Sequence, residues 1–427
     1  MKQRISEDFL HFIWKFRLFK NNKLFTTDNQ MLEIISCGLQ NTHSGPDFFN
    51  ARIKLDNTVW AGNIEIHVCS SDWNLHNHSK DEAYNNVILH VVYEHNDEII
   101  LKNGIKIPTL ELKSLIHPNI LEKYYTLLQS KKWIPCSGQI STIPFLQTQN
   151  WLSRLAIERL ENKTNNVLEL VKKLNNDWNE AFYILLAKHF GMKVNAEPFE
   201  MLALSLPQKN ISKHKNNLLQ IEALLFGQAG LLEGGKSASE YKHTLKKEYL
   251  HLKKKYDLHS LPQGIWKFAR IRPNCFPTLK LAQFAALCHT SSHLFSKIIK
   301  ETDASKLQKL FNVSTSEFWK KHYTFEKQSE RNTGSLGASS VQIIFINTVI
   351  PFLFAYGRHN NNRDLEEKAM TWLEEIKPEK NSIIKKWMNE GINPESAVTT
   401  QALIQLKNEY CNNFKCINCG FGLALLK

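Results

Sequence analysis

The stretch 44–68, SGPDFFNARIKLDNTVWAGNIEIHV, decides how the rest of the chain is read. Polar and apolar residues alternate on both sides of Asp56-Asn57, a dipeptide suited to a tight turn, so the stretch predicts a β-hairpin. With the turn centred near Asn57, facing residues sum to about 114, which sets Asp47 across from His67. Glu65 lies two residues before His67 on the same face of its strand, while Ile64, Ile66 and Val68 take the other. Two carboxylates and an imidazole then converge at one end of the hairpin. Such a set can hold Mg²⁺ or Mn²⁺ through oxygen, with His67 as a third ligand or as the group that orients and deprotonates water. The same alternation also fits a hairpin that simply turns a polar face to solvent.

Outward from the hairpin, period-two patterning runs from Met31 to Leu112, with further turn signals at Asn96-Asp97 and Asn103-Gly104. Before it, Phe9, Leu10, Ile13, Trp14 and the run Phe16 to Phe19 predict an amphipathic opening helix. The expected order is helix, strand, hairpin, a helix around Lys80–Asn85, a strand Val87–Glu94 and another hairpin. After Pro118 a 3.6-residue period takes over, as in Trp151–Leu160, Trp178–Phe190, Leu218–Phe226, Leu279–Leu287, Val341–Tyr356 and Leu365–Ile376. The fold class expected is α+β, with a mixed-sheet domain at 1–117 and a mainly helical region at 118–427.

Pro46-Asp47 at the start of one strand and Glu65-Ile66-His67 at the end of the next resemble the motif of the PD-(D/E)XK nuclease superfamily, with Glu7 as the extra acid that many members carry. This resemblance covers about the first quarter of the chain. It implies a nuclease-like sheet and metal-dependent phosphodiester cleavage by Asp47, Glu65 and His67. His67 stands where the motif has lysine, so either the role has changed or a lysine such as Lys54 reaches in. Downstream, Asp72, His76, His78, Asp81 and His90 fall within twenty residues. His-x-His with a nearby acid suits a transition metal better than Mg²⁺, and His76, His78 and Asp81 are candidate ligands. Asp81 before Glu82-Ala83 also reads as an ordinary helix start.

The tail, YCNNFKCINCGFGLALLK, spaces Cys411, Cys416 and Cys419 as C-x4-C-x2-C. Three such thiols suit Zn²⁺ or an iron–sulfur cluster that takes a fourth ligand from elsewhere. Cys136 in WIPC is the candidate, because that bond would clip the tail to the junction between the two regions; some nucleases similar to the hairpin motif close themselves in this manner with other spacings. Three free thiols are the alternative. Cys37, Cys69, Cys275 and Cys288 lie in apolar runs and read as core. Together GLQNTHSGPDFFNARI, WAGNIEIHVCSSDWNLHNHSKDEAYNNVILHVV, LLFGQAGLLE, INTVIPFLFAYGRH and this tail resemble a bacterial family known as domain of unknown function 2851. The resemblance runs from near Phe9 to the C-terminus and implies one architecture, but no activity.

Composition bounds the partners. The 427 residues carry 54 Lys+Arg against 41 Asp+Glu, a formal charge of +13 that favours polyanions such as nucleic acid. Lys267, Arg270, Arg272 and Lys280 in WKFARIRPNCFPTLKLAQ are candidate phosphate contacts, or else pin their loop to an acidic helix. The N-terminus lacks signal-peptide features, the apolar window Val341–Tyr356 is short and polar for a bilayer span, and eight cysteines in so long a chain are sparse. No membrane association and a reducing cytoplasm are therefore expected. GLLEGGKS at 230–237 matches the P-loop pattern, but follows helical rather than strand spacing. A metal-dependent nuclease leads. A non-catalytic nucleic-acid-binding scaffold, a small-molecule metal hydrolase and, last, an NTPase are the rivals.

Overall fold

The computed structural model describes residues 5–427 apart from 22, 102–103, 234–238 and 292. The chain divides into two compact units, one of Met1–Trp151 with Leu406–Lys427 and one of Leu152–Gln405. The α+β class holds, with a mixed sheet in the first unit and mainly helix in the second.

The first unit opens with α1 (Glu7–Phe16). Ser6 accepts from the Phe9 amide, Glu7 and Asp8 sit at the positive end of the helix, and Arg17 in left-handed backbone ends it. Its apolar stripe, Phe9, Leu10, Phe12, Ile13 and Trp14, is buried. The strands that follow are β1 (Leu24–Phe25), β2 (Met31–Ser36), β3 (Leu39–Gln40), β4 (Phe48–Leu55), β5 (Thr58–Cys69), β6 (Val87–Glu94) and β7 (Thr109–Glu111). They form one sheet in the order β1-β2-β4-β5-β6-β7, with β3 also paired to β4. The pairs β5·β6 and β6·β7 are parallel and the others antiparallel. The β5-to-β6 crossover carries α2 (Asp72–Leu75) and two 3-10 turns, His78–Lys80 and Glu82–Tyr84, in place of the helix expected around Lys80–Asn85. The expected second hairpin is also replaced: β7 lies parallel to β6, and Ile100 and Lys106 make an isolated antiparallel bridge. Asn103 of that turn lies outside the described residues.

The β4–β5 hairpin turns at Asp56-Asn57, with Leu55 facing Thr58 and Ala51 facing Gly62. Beyond Ala51 the register shifts so that Phe48 faces Ile64, and Asn50 adopts φ +54. One extra residue on β4 is a bulge, and it reverses which face every residue beyond it occupies. Without it Asp47 would fall opposite Ile66, on the apolar face. With it Asp47 falls opposite Glu65, which corrects the expected pairing with His67.

α3 (Pro118–Leu128) lies in the first unit and not with the helical region at 118–427. Tyr124 stacks on Phe9 at 4.5 Å, and the tail helix Gly420–Leu426 packs against α3. In the second unit Trp178–Phe190, Leu218–Gln228, Pro277–Thr290 and Arg363–Glu375 follow the expected helical periodicity. The continuous helical stretch Ala338–His359 is long and apolar enough to cross a membrane by length and composition, but 67% of its most apolar window is buried within the protein. Gly230 of the P-loop match follows the helix Leu218–Gln228, not a strand, while Lys236 and Ser237 lie outside the described residues.

Candidate metal centre

Five segments of the first unit deliver side chains to one place. The β4 bulge brings Asp47 beside β5, where the Asp47 amide donates to Glu65 Oε2 (3.1 Å) and the Ile66 amide donates to Asp47 Oδ2 (2.9 Å). β5 contributes Glu65 and His67, and the parallel register sets His90 of β6 beside Glu65. The crossover adds His76 and His78, and α1 adds Glu7 and His11, four residues apart on one helical face.

The rings are chained together. His67 Nδ1 lies 2.8 Å from His90 Nε2, and His67 Nε2 lies 3.2 Å from His76 Nδ1. One nitrogen each of His67, His76 and His78 lie within 4.8 Å of one another. Glu65 Oε1 lies 3.3 Å from His78 Nε2 and 3.5 Å from His67 Nε2. At the partly open edge His11 Nε2 is 3.2 Å from Asp47 Oδ2. Neither the His78–Glu65 nor the His11–Asp47 approach has hydrogen-bond geometry, and among the described residues His11 Nε2, His78 Nε2 and His90 Nδ1 are buried without a hydrogen-bond partner. The rings are held by packing: His78 stacks on Tyr84 with centroids 3.9 Å apart, and the edge of Trp73 abuts His67, His78 and His90. Trp73 and Tyr84 belong to a small core with Val87, Ile99, Leu101 and Ile107.

Burial governs protonation here. It pushes His67 down to about 2, with the neighbouring rings of His90, His78 and His76 adding to the effect. His90 is held at about 3 by burial, then by His78 and His95. Both rings are therefore neutral and keep a lone pair on one nitrogen. Burial also raises Glu65; the Asp47 charge adds to this and His78 opposes it. Glu7 is raised mainly by burial, against the opposing His76. For His11, burial acts downward, but the Asp47 carboxylate outweighs it and the group is raised. Poorly solvated carboxylates beside the neutral rings of His67 and His90 form a set whose desolvation cost a divalent cation would offset. Mixed nitrogen and oxygen donors suit Mn²⁺, Zn²⁺ or Fe²⁺ better than Mg²⁺.

Other residues singled out from the sequence fall elsewhere. Asp81 is exposed, caps the turn Glu82–Tyr84 through the Ala83 amide, and is not a member of the cluster. Asp72 accepts from the Cys69 amide. Lys54 faces Val59 near the hairpin turn, about 20 Å along the strand from Asp47, and does not reach the site. Cys136, Cys411, Cys416 and Cys419 are buried around a separate recess. In the second unit Lys267, Arg270 and Arg272 are exposed, and no ion pair ties them to an acidic helix among the described residues. Lys280 is buried and donates to Gln283 Oε1 (3.0 Å) and Ser340 Oγ (3.3 Å), so it is not a surface phosphate contact. His11, Trp73 and Tyr84 escaped the sequence reading; the i, i+4 spacing of Glu7 and His11 was the one available signal.

No curated protein and no solved structure matches the chain. One family model does, across residues 7–382, and its description is protein of unknown function (DUF2851). That span takes in the sheet, the histidine–carboxylate cluster and most of the helical unit, so the chain belongs to the DUF2851 family.

Proposed function

We propose that this chain is a metal-dependent hydrolase that cleaves phosphodiesters, a nuclease whose divalent cation is held by Glu65, His67, His76 and His78. The observation that carries this is the convergence of ring nitrogens and the Glu65 carboxylate, with His78 Nε2 buried and lacking a hydrogen-bond partner among the described residues. A bound cation would polarise a phosphoryl oxygen and acidify water. His90 fixes the tautomer and orientation of His67 through the 2.8 Å contact. Asp47, partly exposed and beside His11, is the group to orient water and accept its proton. The choice of a phosphodiester rests on the acid-after-proline hairpin, Glu7 on the opening helix and the +13 charge, which suits a polyanionic substrate.

The test uses metal-depleted protein supplied in turn with Mn²⁺, Zn²⁺ and Mg²⁺, against single- and double-stranded DNA, RNA and a chromogenic phosphodiester. Cleavage is expected with Mn²⁺ or Zn²⁺, falling at least about 100-fold in Asp47→Asn and Glu65→Gln. Wild type as inert as both variants with every ion and substrate overturns the enzymatic reading. A second reading, a nucleic-acid-binding scaffold without catalysis, is favoured by His67 standing where the nuclease motif has lysine. Salt-dependent binding that persists in both variants, without cleavage, supports it.

A further inference from the structure

The tail of the chain returns to the first unit and brings three cysteines to a fourth. Cys136 lies in the turn after Trp133, Cys411 ends the π-helical segment Leu406–Cys411, and Cys416 and Cys419 flank the 3-10 turn Cys416–Asn418. None of the four is in a disulfide, and all are nearly inaccessible, at 7% exposure for Cys136 and 8% for the others. They line one small apolar recess with Leu127, Pro135, Tyr410 and Gly422. Four thiols brought from two distant parts of the chain to one recess make the donor set of a thiophilic metal.

The backbone approaches these cysteines closely. Gly422 is required for this approach, because a Cβ there would lie 1.9 Å from the Cys416 carbonyl oxygen. Lys407 Nζ donates to the Trp133 carbonyl at 2.6 Å, which joins the segment ending at Cys411 to the turn that holds Cys136.

We propose that Cys136, Cys411, Cys416 and Cys419 bind one thiophilic metal centre, a zinc ion or an iron–sulfur cluster, which ties the tail to the 133–139 turn. Binding replaces the thiol protons, which leave to solvent, and involves no oxidation of the protein. The centre is structural in consequence as well as position. The turn Cys416–Asn418 packs on α1 and α3, and Lys427 lies over the Phe16 ring, so the tail supports the helix that carries Glu7 and His11. This site shares no residue with the histidine–carboxylate cluster and stands or falls apart from it.

The experiment is metal and acid-labile sulfide analysis of the full chain purified without air, with absorbance recorded from 300 to 700 nm as a roughly diagnostic window for sulfur-to-iron charge transfer. About one zinc per chain without colour, or iron with comparable sulfide and a broad visible band, is expected beyond whatever the histidine cluster holds. That content should fall at least about tenfold in Cys416→Ser and remain in His76→Ala. If Cys416→Ser fails to fold, titrating wild type with an organomercurial should release the metal in step with thiol modification. Protein that carries no thiolate-bound metal, metal content unchanged in folded Cys416→Ser, or disulfides among these four cysteines by mass spectrometry each overturn the proposal.

Discussion

His67 shows how much of the site a single residue decides. Between His90 and His76, its ring has one nitrogen engaged on each side, and burial holds it neutral. The alternation of Glu65 and His67 made their shared face legible in the sequence, because strand periodicity depends on nothing beyond neighbouring residues. His11 was not legible: it reaches Asp47 only once α1 packs against the sheet. Another buried group gives a test that lies outside any metal centre. Glu222 in the second unit is fully buried, hydrogen-bonded to Tyr241 and Ser316, and raised to about 7, first by burial. Its folded-state value lies above the ordinary 4.5, so the stability it contributes is fully present below pH 4.5 and is lost as pH rises through about 7. Glu222→Gln should therefore match wild type near pH 4, below the ordinary value, and exceed it at pH 8 by up to about 3 kcal/mol. Thermal melts at both pH values check this, and a variant equally destabilised at both contradicts it.

At the scale of elements, the β4–β5 hairpin combines a readable turn with an unreadable bulge. Asp56-Asn57 announces the turn, whereas the shift at Asn50 is visible in sequence only as asparagine's tolerance of left-handed backbone. Parity still put Asp47 and Glu65 on one face, because the register error and the missing bulge cancelled. The long helices were legible from their 3.6-residue period; the parallel placement of β7 was not, since short strands carry no mark of direction. Gly62 sits where β5 meets the start of β6. A Cβ there would come within 2.4 Å of Ile88 Cγ2 and 2.6 Å of the Asn86 carbonyl oxygen. Gly62→Ala should cost about 1–3 kcal/mol by urea denaturation, while Gly264→Ala, with nothing within 4 Å, should stay within about 0.5 kcal/mol of wild type. Equal effects at the two positions would mean that the β5·β6 approach is not tight.

At the scale of the whole molecule, local pattern is least informative, because the decisive contacts join distant parts of the chain. The return of residues 406–427 to the first unit is one such contact, and C-x4-C-x2-C hinted at it only through its missing fourth ligand. The gathering of Glu65, His67, His76 and His78 is another, produced by a mixed sheet whose crossover folds back over its own strand. Under the proposed function, the excess positive charge would favour a polyanionic substrate and these four residues would hold the cation that acts on it. Calorimetric titration of the metal-depleted chain with Mn²⁺ and with Zn²⁺, in wild type, His76→Ala, Glu65→Gln and Cys416→Ser, tests that place most directly. The account predicts a binding event that weakens at least about tenfold in His76→Ala and Glu65→Gln and persists in Cys416→Ser. Identical titrations in wild type and His76→Ala would contradict it.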